Sequence, residues 1–160
     1  MQWIARGSRP VFNVLHHGAA KVDDKGRIFL PNDVRAEADA WWLAHPEYDR
    51  RLVIAAGGAS LWLMFPDHFY RLRDQLQVGK VEMTREWIDA GHVLAMATPV
   101  KVDDLGRVQI PADFREQGGI ERDAVLHVVQ GRIELWDKKR WTLRRQVATH
   151  RLFGRDEEVL

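Results

Sequence analysis

The chain has no cysteine, only two serines and no long apolar run. Without cysteine there is no disulfide framework, no thiolate metal site and no thiol nucleophile, which suits a reducing compartment. Ser8 and Ser60 stand in no elbow or triad-like motif, so an activated hydroxyl has no support. No run of about 18 apolar residues occurs, so no membrane-spanning helix is expected, and the first residues lack the apolar region of a signal peptide. The expected compartment is the cytoplasm. The glycine pairs 57–58 and 118–119 lack the Lys-Ser/Thr of a phosphate-cradling loop. Asp23, Asp24, Asp103 and Asp104 could serve acid–base chemistry or a divalent cation, but aspartate is also a preferred turn residue, because its carboxylate accepts from nearby backbone N–H groups. The expectation is therefore no enzyme, no catalytic residue, no metal and no cofactor.

What the chain does contain is a repeat. Residues 21–35, KVDDKGRIFLPNDVR, return as residues 101–115, KVDDLGRVQIPADFR, with nine identities in fifteen positions at an offset of 80. Ile28/Val108, Leu30/Ile110 and Val34/Phe114 are conservative besides, so one structural unit is present twice. At 160 residues and 46% hydrophobic the chain can bury a core. Its seven tryptophans suit cores and subunit interfaces better than nucleobase stacking.

Within each copy, residues 20–22 predict a strand, Asp23-Asp24-Lys25-Gly26 a turn with glycine supplying positive φ, and residues 27–30 a returning strand, together a hairpin. Pro31 fits the first position of a short helix, and the second copy's helix should stop at Gly118-Gly119. A second hairpin follows each helix: 51–56 and 60–65 around Gly57-Gly58, then 124–129 and 132–136 around Gln130-Gly131. Helices are expected over 66–76, 84–97 and 141–150, the last basic through Arg144 and Arg145 and followed by an acidic end at 156–158. Residues 1–15 lie outside the repeat and are expected to be partly loose, with His16 and His17 as loop residues before the first strand.

Arg27 and Arg107 each follow a turn glycine at a hairpin tip. A β-ribbon can enter the major groove, where arginine reads guanine or clamps phosphate. Lys25, Lys21 and Lys101 add positive charge on the same hairpins. The local alternative is that Arg27 and Arg107 pair with Asp23 and Asp103 across the turn, and the sequence leaves both open. The net charge is +1, a poor footprint when phosphate contacts dominate affinity. DNA binding would therefore require an oligomer, in which many weak hairpins act together.

The doubled Asp-x-x-Gly-Arg, with its proline and helix arginine, and the later 134–141 run Glu-Leu-Trp-Asp-Lys-Lys-Arg-Trp, resemble the MraZ family over roughly residues 18–147. That resemblance implies an α+β fold of two tandem SpoVT-AbrB-like units, swapped-hairpin and barrel-like, forming an intrachain pseudo-dimer with packed helices. The units would be 18–65 and 98–141, with a helical connector at 66–97 and a C-terminal helix and tail at 142–160. It implies a sequence-specific bacterial transcriptional regulator, nucleoid-associated, that binds double-stranded DNA with direct repeats in promoters of the cell-division and cell-wall gene cluster as a ring-shaped homo-oligomer. An AbrB-like protein-interaction or antitoxin module is the alternative. Carried over by position, Arg27 is the leading DNA contact with Lys25 beside it, Arg107 is its second-half equivalent, and Arg35 and Arg115 are structural. Leu105 replaces Lys25 in the second copy, so the halves should not contribute equally. The Trp41-Trp42 insert and the N-terminal extension have no counterpart in that pattern.

Overall fold

The computed structural model describes residues 10–77 and 83–154. The sequence expectations for residues 1–9 and for the acidic end at 156–158 lie outside them. Among the described residues, eight strands and five α-helices follow in the order β1 (His17–Lys21), β2 (Arg27–Phe29), α1 (Asn32–Ala44), β3 (Arg51–Ala56), β4 (Leu61–Met64), α2 (Pro66–Gln77), α3 (Arg85–Ala95), β5 (Thr98–Lys101), β6 (Arg107–Gln109), α4 (Ala112–Gly118), β7 (Asp123–Val129), β8 (Arg132–Asp137) and α5 (Lys138–Phe153). A 3-10 turn, Pro46–Tyr48, follows α1. The fold is α+β and every strand pairing is antiparallel. Among the described residues no helix is long and apolar enough to cross a membrane.

Six strands form one sheet in the order β1-β7-β8-β4-β3-β5, and β2 pairs with β6 in a separate ribbon. Exchanging the equivalent strands of the two repeats (β1 with β5, β3 with β7, β4 with β8) reverses that order onto itself. The sheet thus has a pseudo-two-fold axis between β4 and β8. The ribbon obeys the same axis, because its register sets Ile28 opposite Val108, the two residues that the repeat makes equivalent.

The second hairpins form where expected, β3 on β4 and β7 on β8. Gln130 and Gly131 both adopt positive φ, 52° and 82°, the geometry that a two-residue hairpin turn needs. The first hairpins differ from expectation. Each turn closes, with Gly26 N–H donating to Asp23 C=O and Asp23 N–H to Arg27 C=O, and the same pattern holds at 103–107. The flanking strands then part: β1 joins β7, β5 joins β3, and β2 and β6 join each other. Turn chemistry is local and specifies a reversal, whereas the ladder partner is left to tertiary packing, which here sets the buried Ile28 against Val108.

Pro31 and Pro111 sit one residue earlier than expected, as N-caps at φ −56° and −58° with extended ψ. The α4 helix ends at Gly118 with Gly119 at φ 64°, as its sequence asked. In the first copy the helix runs on to Ala44 and takes up Trp41-Trp42, with Val34, Ala38 and Trp42 buried at a four-residue spacing on the core side. The insert therefore fills core: Trp41, Trp42 and Tyr48 all have ring contacts with Phe65. The stretch before β1, expected to be partly loose, is anchored at Phe12, while Leu15 beyond it stands almost fully exposed. Phe12 is buried and stacks on Phe65 at 4.5 Å. Of the two expected loop residues, His16 does precede β1, with Nδ1 3.0 Å from Asp33, whereas His17 is the first residue of β1 and lies opposite His127.

The main core lies between the large sheet, the ribbon, α1 and α4, around Ile28, Leu30, Val34, Leu61, Leu63, Val108, Ile110, Phe114 and Leu135. The outer face of the first half, Val53, Ala55 and Met64, is covered by Phe69 and Leu72 of α2 and Leu94 of α3. The outer face of the second half lies under α5 and holds a polar cluster. Glu134 Oε1 accepts from His127 Nε2 (3.0 Å) and Trp136 Nε1 (2.9 Å), and Oε2 accepts from Arg132 Nη2 (2.6 Å). Arg132 lies 3.8 Å over the Trp62 ring, and Trp141 of α5 covers His127 at 4.5 Å. Burial alone would raise the Glu134 carboxyl, but the bonds from His127, Trp136 and Arg132 and the Arg132 charge outweigh it and hold the pKa down to about 2.

Two predictions follow from this architecture. Gly26 has φ +80° and a Cβ there would lie 2.5 Å from Arg115 Cζ, whereas Gly58 has φ +82° with open space around it. Gly58→Ala should cost about 1 kcal/mol through backbone strain alone. Gly26→Ala should cost clearly more, because Arg115 must also move; urea midpoints of the two variants check this. For Glu134, a folded pKa of about 2 against an ordinary 4.5 means that its contribution is complete above 4.5 and is lost as pH falls toward 2. Wild-type stability should decline through that window. Glu134→Gln should be less stable at neutral pH and show a shallower decline, measured by urea unfolding across pH.

Candidate nucleic-acid interface

The repeated turn is built by its first aspartate. Asp23 Oδ1 accepts the backbone N–H of Lys25 and of Arg27, each at 2.9 Å, and Oδ2 accepts Arg27 Nε at 2.8 Å. Asp103 repeats this with Leu105 N (3.0 Å), Arg107 N (2.8 Å) and Arg107 Nε (2.7 Å). The backbone N–H of the arginine, then its side chain, hold each aspartate below the ordinary carboxylate range. Two of the four acids that suggested chemistry in the sequence, Asp23 and Asp103, are thus spent on turn geometry. Among the described residues no His, Asp and Glu cluster is arranged to hold a metal ion.

The local pairing of Arg27 and Arg107 with Asp23 and Asp103 is real, but it engages only Nε. Among the described residues neither arginine donates a hydrogen bond from its Nη nitrogens. A guanidinium held at Nε is aimed rather than consumed, and its two outer nitrogens keep the forked geometry that matches phosphate or a guanine edge.

The ribbon places these groups together. Strand alternation buries Ile28 and Val108 and turns Arg27, Phe29, Arg107 and Gln109 to the other face. The register sets Arg27 opposite Gln109 and Phe29 opposite Arg107. Lys25 is exposed at the first turn, next to the ribbon, since its C=O accepts from Gln109 Nε2 at 2.6 Å. The other two expected contacts lie elsewhere. Lys21 ends β1 and Lys101 ends β5, the outermost strands of the large sheet, and each meets a carboxylate: Asp123 at 2.8 Å and Asp49 at 3.5 Å.

The helix arginines lie over the two turns, and Arg35 bonds to one of them. Arg35, on α1, donates to the second turn through Nη2 to Asp104 C=O (2.7 Å) and Nη1 to Leu105 C=O (3.1 Å). Its side chain fills the space over Gly106 where a Cβ would otherwise stand. Arg115, on α4, lies in the same way over Gly26 and donates Nε to Ile110 C=O at 3.1 Å. Arg50, from the insert, adds bonds to Val102 C=O (3.1 Å) and Asp103 C=O (2.8 Å). The sequence reading marked Arg35 and Arg115 as structural, and that is how they act; it passed over Phe29, Gln109 and Arg50. A signal for the first two existed, since position 29/109 is the least conservative exchange in the returning strands.

A cleft of about 550 Å³ opens elsewhere, between α5 and the outer sheet face, lined by residues that include Trp62, Arg132, Trp136, Trp141 and Arg145. It collects indoles and arginines, with no activated nucleophile among its lining residues.

The family model described as "MraZ protein, putative antitoxin-like" matches residues 93–156. The transcriptional regulator MraZ of Treponema denticola is 30% identical over 122 residues, 75% of this chain and 78% of that protein. The transcriptional regulator MraZ of Frankia casuarinae is 31% identical over 145 residues, 89% of this chain and 93% of that protein, and that of Frankia alni is 30% identical over 142 residues, 88% and 92%. With the doubled Asp-turn-Arg ribbon found in place and this identity sustained along most of both chains, the chain belongs to the MraZ family of transcriptional regulators.

Proposed function

We propose that the protein is a sequence-specific DNA-binding regulator that acts as a ring-shaped homo-oligomer on direct repeats in promoters of the cell-division and cell-wall gene cluster, working at the nucleoid in the cytoplasm. The observation that carries this reading is the β2–β6 ribbon, which turns Arg27 and Arg107 outward with their Nη nitrogens unengaged. A two-stranded ribbon of this width fits the major groove. Lys25 and Arg27 lead, Arg107 follows, and Lys21 and Lys101 add phosphate contact once they exchange Asp123 and Asp49 for DNA. The tandem SpoVT-AbrB-like reading, two units as an intrachain pseudo-dimer, is supported by the pseudo-two-fold sheet order and by β1 and β5 each pairing into the other copy's hairpin.

Assembly is supported by charge and by surface. One ribbon offers two arginines and a lysine, too few for tight binding where each neutralised phosphate contributes modestly. Repetition around a ring multiplies them. Apolar side chains also stand exposed on the helices: Ile88, Val93 and Met96 at α3, and Leu143, Val147, Leu152 and Phe153 on α5. These faces would bury against the next protomer. The same α5 face, with the cleft beneath it, also favours a second reading as an antitoxin-like module that holds a partner protein. A stable complex with such a partner, together with no DNA affinity, would select it.

Binding to promoter duplexes bearing short direct repeats, titrated at several salt concentrations, tests the proposal. Affinity should fall steeply with salt. Arg27→Ala should weaken binding by about ten- to hundredfold and Arg107→Ala by less. Arg27→Ala binding like wild type would sink the reading. Light scattering should give a multiple of the 18.6 kDa chain mass, and a monomer would contradict the ring.

A further inference from the structure

If both halves of the ribbon carried the same residues, its outer face would be two-fold symmetric, because the register places the equivalent residues Ile28 and Val108 on the axis. The buried positions respect that symmetry: Ile28 with Val108 and Leu30 with Ile110 differ by little. So do the arginines, Arg27 and Arg107. The symmetry fails at two exposed positions, where Phe29 stands for Gln109 and Leu105 for Lys25.

The two exchanges are neighbours in space. The Gln109 side chain donates to the Lys25 carbonyl at 2.6 Å, so Gln109 and Lys25 form one corner of the face. The pseudo-two-fold axis carries that corner onto Phe29 and Leu105. One corner is therefore polar and cationic, and the other is apolar. Phe29 is 61% exposed and Leu105 57% exposed, although nothing in the core requires large apolar residues at these positions. A matched pair of uncovered apolar side chains on the face that carries the outward arginines marks contact with something apolar.

Resting on the DNA reading above, we propose that Phe29 and Leu105 form a thymine-methyl-reading corner of the ribbon, and that Gln109 with Arg27 and Lys25 forms a polar base-edge-reading corner, so that each protomer reads its box in one direction. The thymine C5-methyl is the apolar group that the major groove displays, and aromatic or aliphatic side chains are its natural partners. The opposite corner is also chemically specified. A carbonyl cannot donate, so the Gln109 atom facing Lys25 C=O is the amide nitrogen, which leaves Oε1 to accept from a base. Among the described residues Oε1 has no partner. The groove presents such donors on adenine N6 and cytosine N4. Arg27, opposite Gln109 on the ribbon, suits the adjacent guanine or phosphate.

The test uses the full chain. Duplexes are selected from a randomised pool by the wild-type protein, then resynthesised with deoxyuridine in place of thymine, one position at a time, which removes a single methyl group and no hydrogen bond. At the contacted thymine, affinity should drop about fourfold, the worth of one buried methyl-sized group. Phe29→Gln should bind the thymine and uracil duplexes alike at that position, and Phe29→Leu should retain part of the discrimination. The pair Phe29→Gln with Leu105→Lys, which makes the corners identical, should select a palindromic box where the wild type selects a directional one. Thymine sensitivity that is absent from every position, or that survives in Phe29→Gln, overturns the thymine assignment and leaves DNA binding standing. A wild-type chain that enriches no sequence overturns both.

Discussion

The fold depends on a reciprocal contact: an arginine on the helix of each repeat lies across the glycine turn of the other. Arg35 donates to the Asp104 and Leu105 carbonyls, and its side chain occupies the place of a Gly106 Cβ, while Arg115 occupies that of Gly26. Charge-assisted bonds to carbonyls are among the stronger ones available to a partly exposed side chain. Here they join two copies 80 residues apart. The backbone follows the same path, with Leu30 N–H donating to Gly106 C=O and Ile110 N–H to Gly26 C=O. The repeated motif can now be seen as one device. Aspartate sets the turn, glycine leaves room for the guanidinium, proline launches the helix, and the helix carries the arginine back over the other copy's turn.

That device also explains how two short strands can hold a pair of arginines in fixed places on the surface. Two short strands have little stability by themselves. Clamped by both helices and stitched through Ile28 and Val108 into the core, they become a rigid platform on which Arg27 and Arg107 are pre-oriented by Asp23 and Asp103. Pre-orientation matters because each arginine otherwise spends side-chain entropy on binding. The frame is symmetric and its decoration is not: the arginines repeat, while Phe29 and Leu105 stand where the other half has Gln109 and Lys25.

Much of this was legible in the chain. The repeat gave the doubled unit, and Gly26, Gly106, Gly119 and Gln130-Gly131 gave the turns, because their conformational demands are local. The second hairpins were legible for the same reason. What the chain concealed was non-local. Nothing in residues 20–30 says that β1 pairs with β7 while β2 pairs with β6, since a turn fixes a reversal and leaves the ladder partner to tertiary packing. His17 looked like a loop residue because its partners, His127 and Trp141, lie more than a hundred residues away. At the ribbon, Arg27 and Arg107 stood out because they are repeated, whereas Phe29 and Gln109 were overlooked because they are not. Of the two exposed positions where the halves diverge, Lys25/Leu105 was visible in the aligned turns and only Phe29/Gln109 was missed.

The claim on which all of this rests is that the two copies form one cooperative body rather than two units in a row. Native-state hydrogen exchange at the Leu30 and Ile110 amides, which donate to the opposite copy's turns, tests it most directly. Both amides should exchange at a common free energy, shared with the β7–β8 and β3–β4 strands, as one unit opening together. Leu30 and Ile110 exchanging at separate free energies, each following its own copy while the other stays protected, would contradict the account.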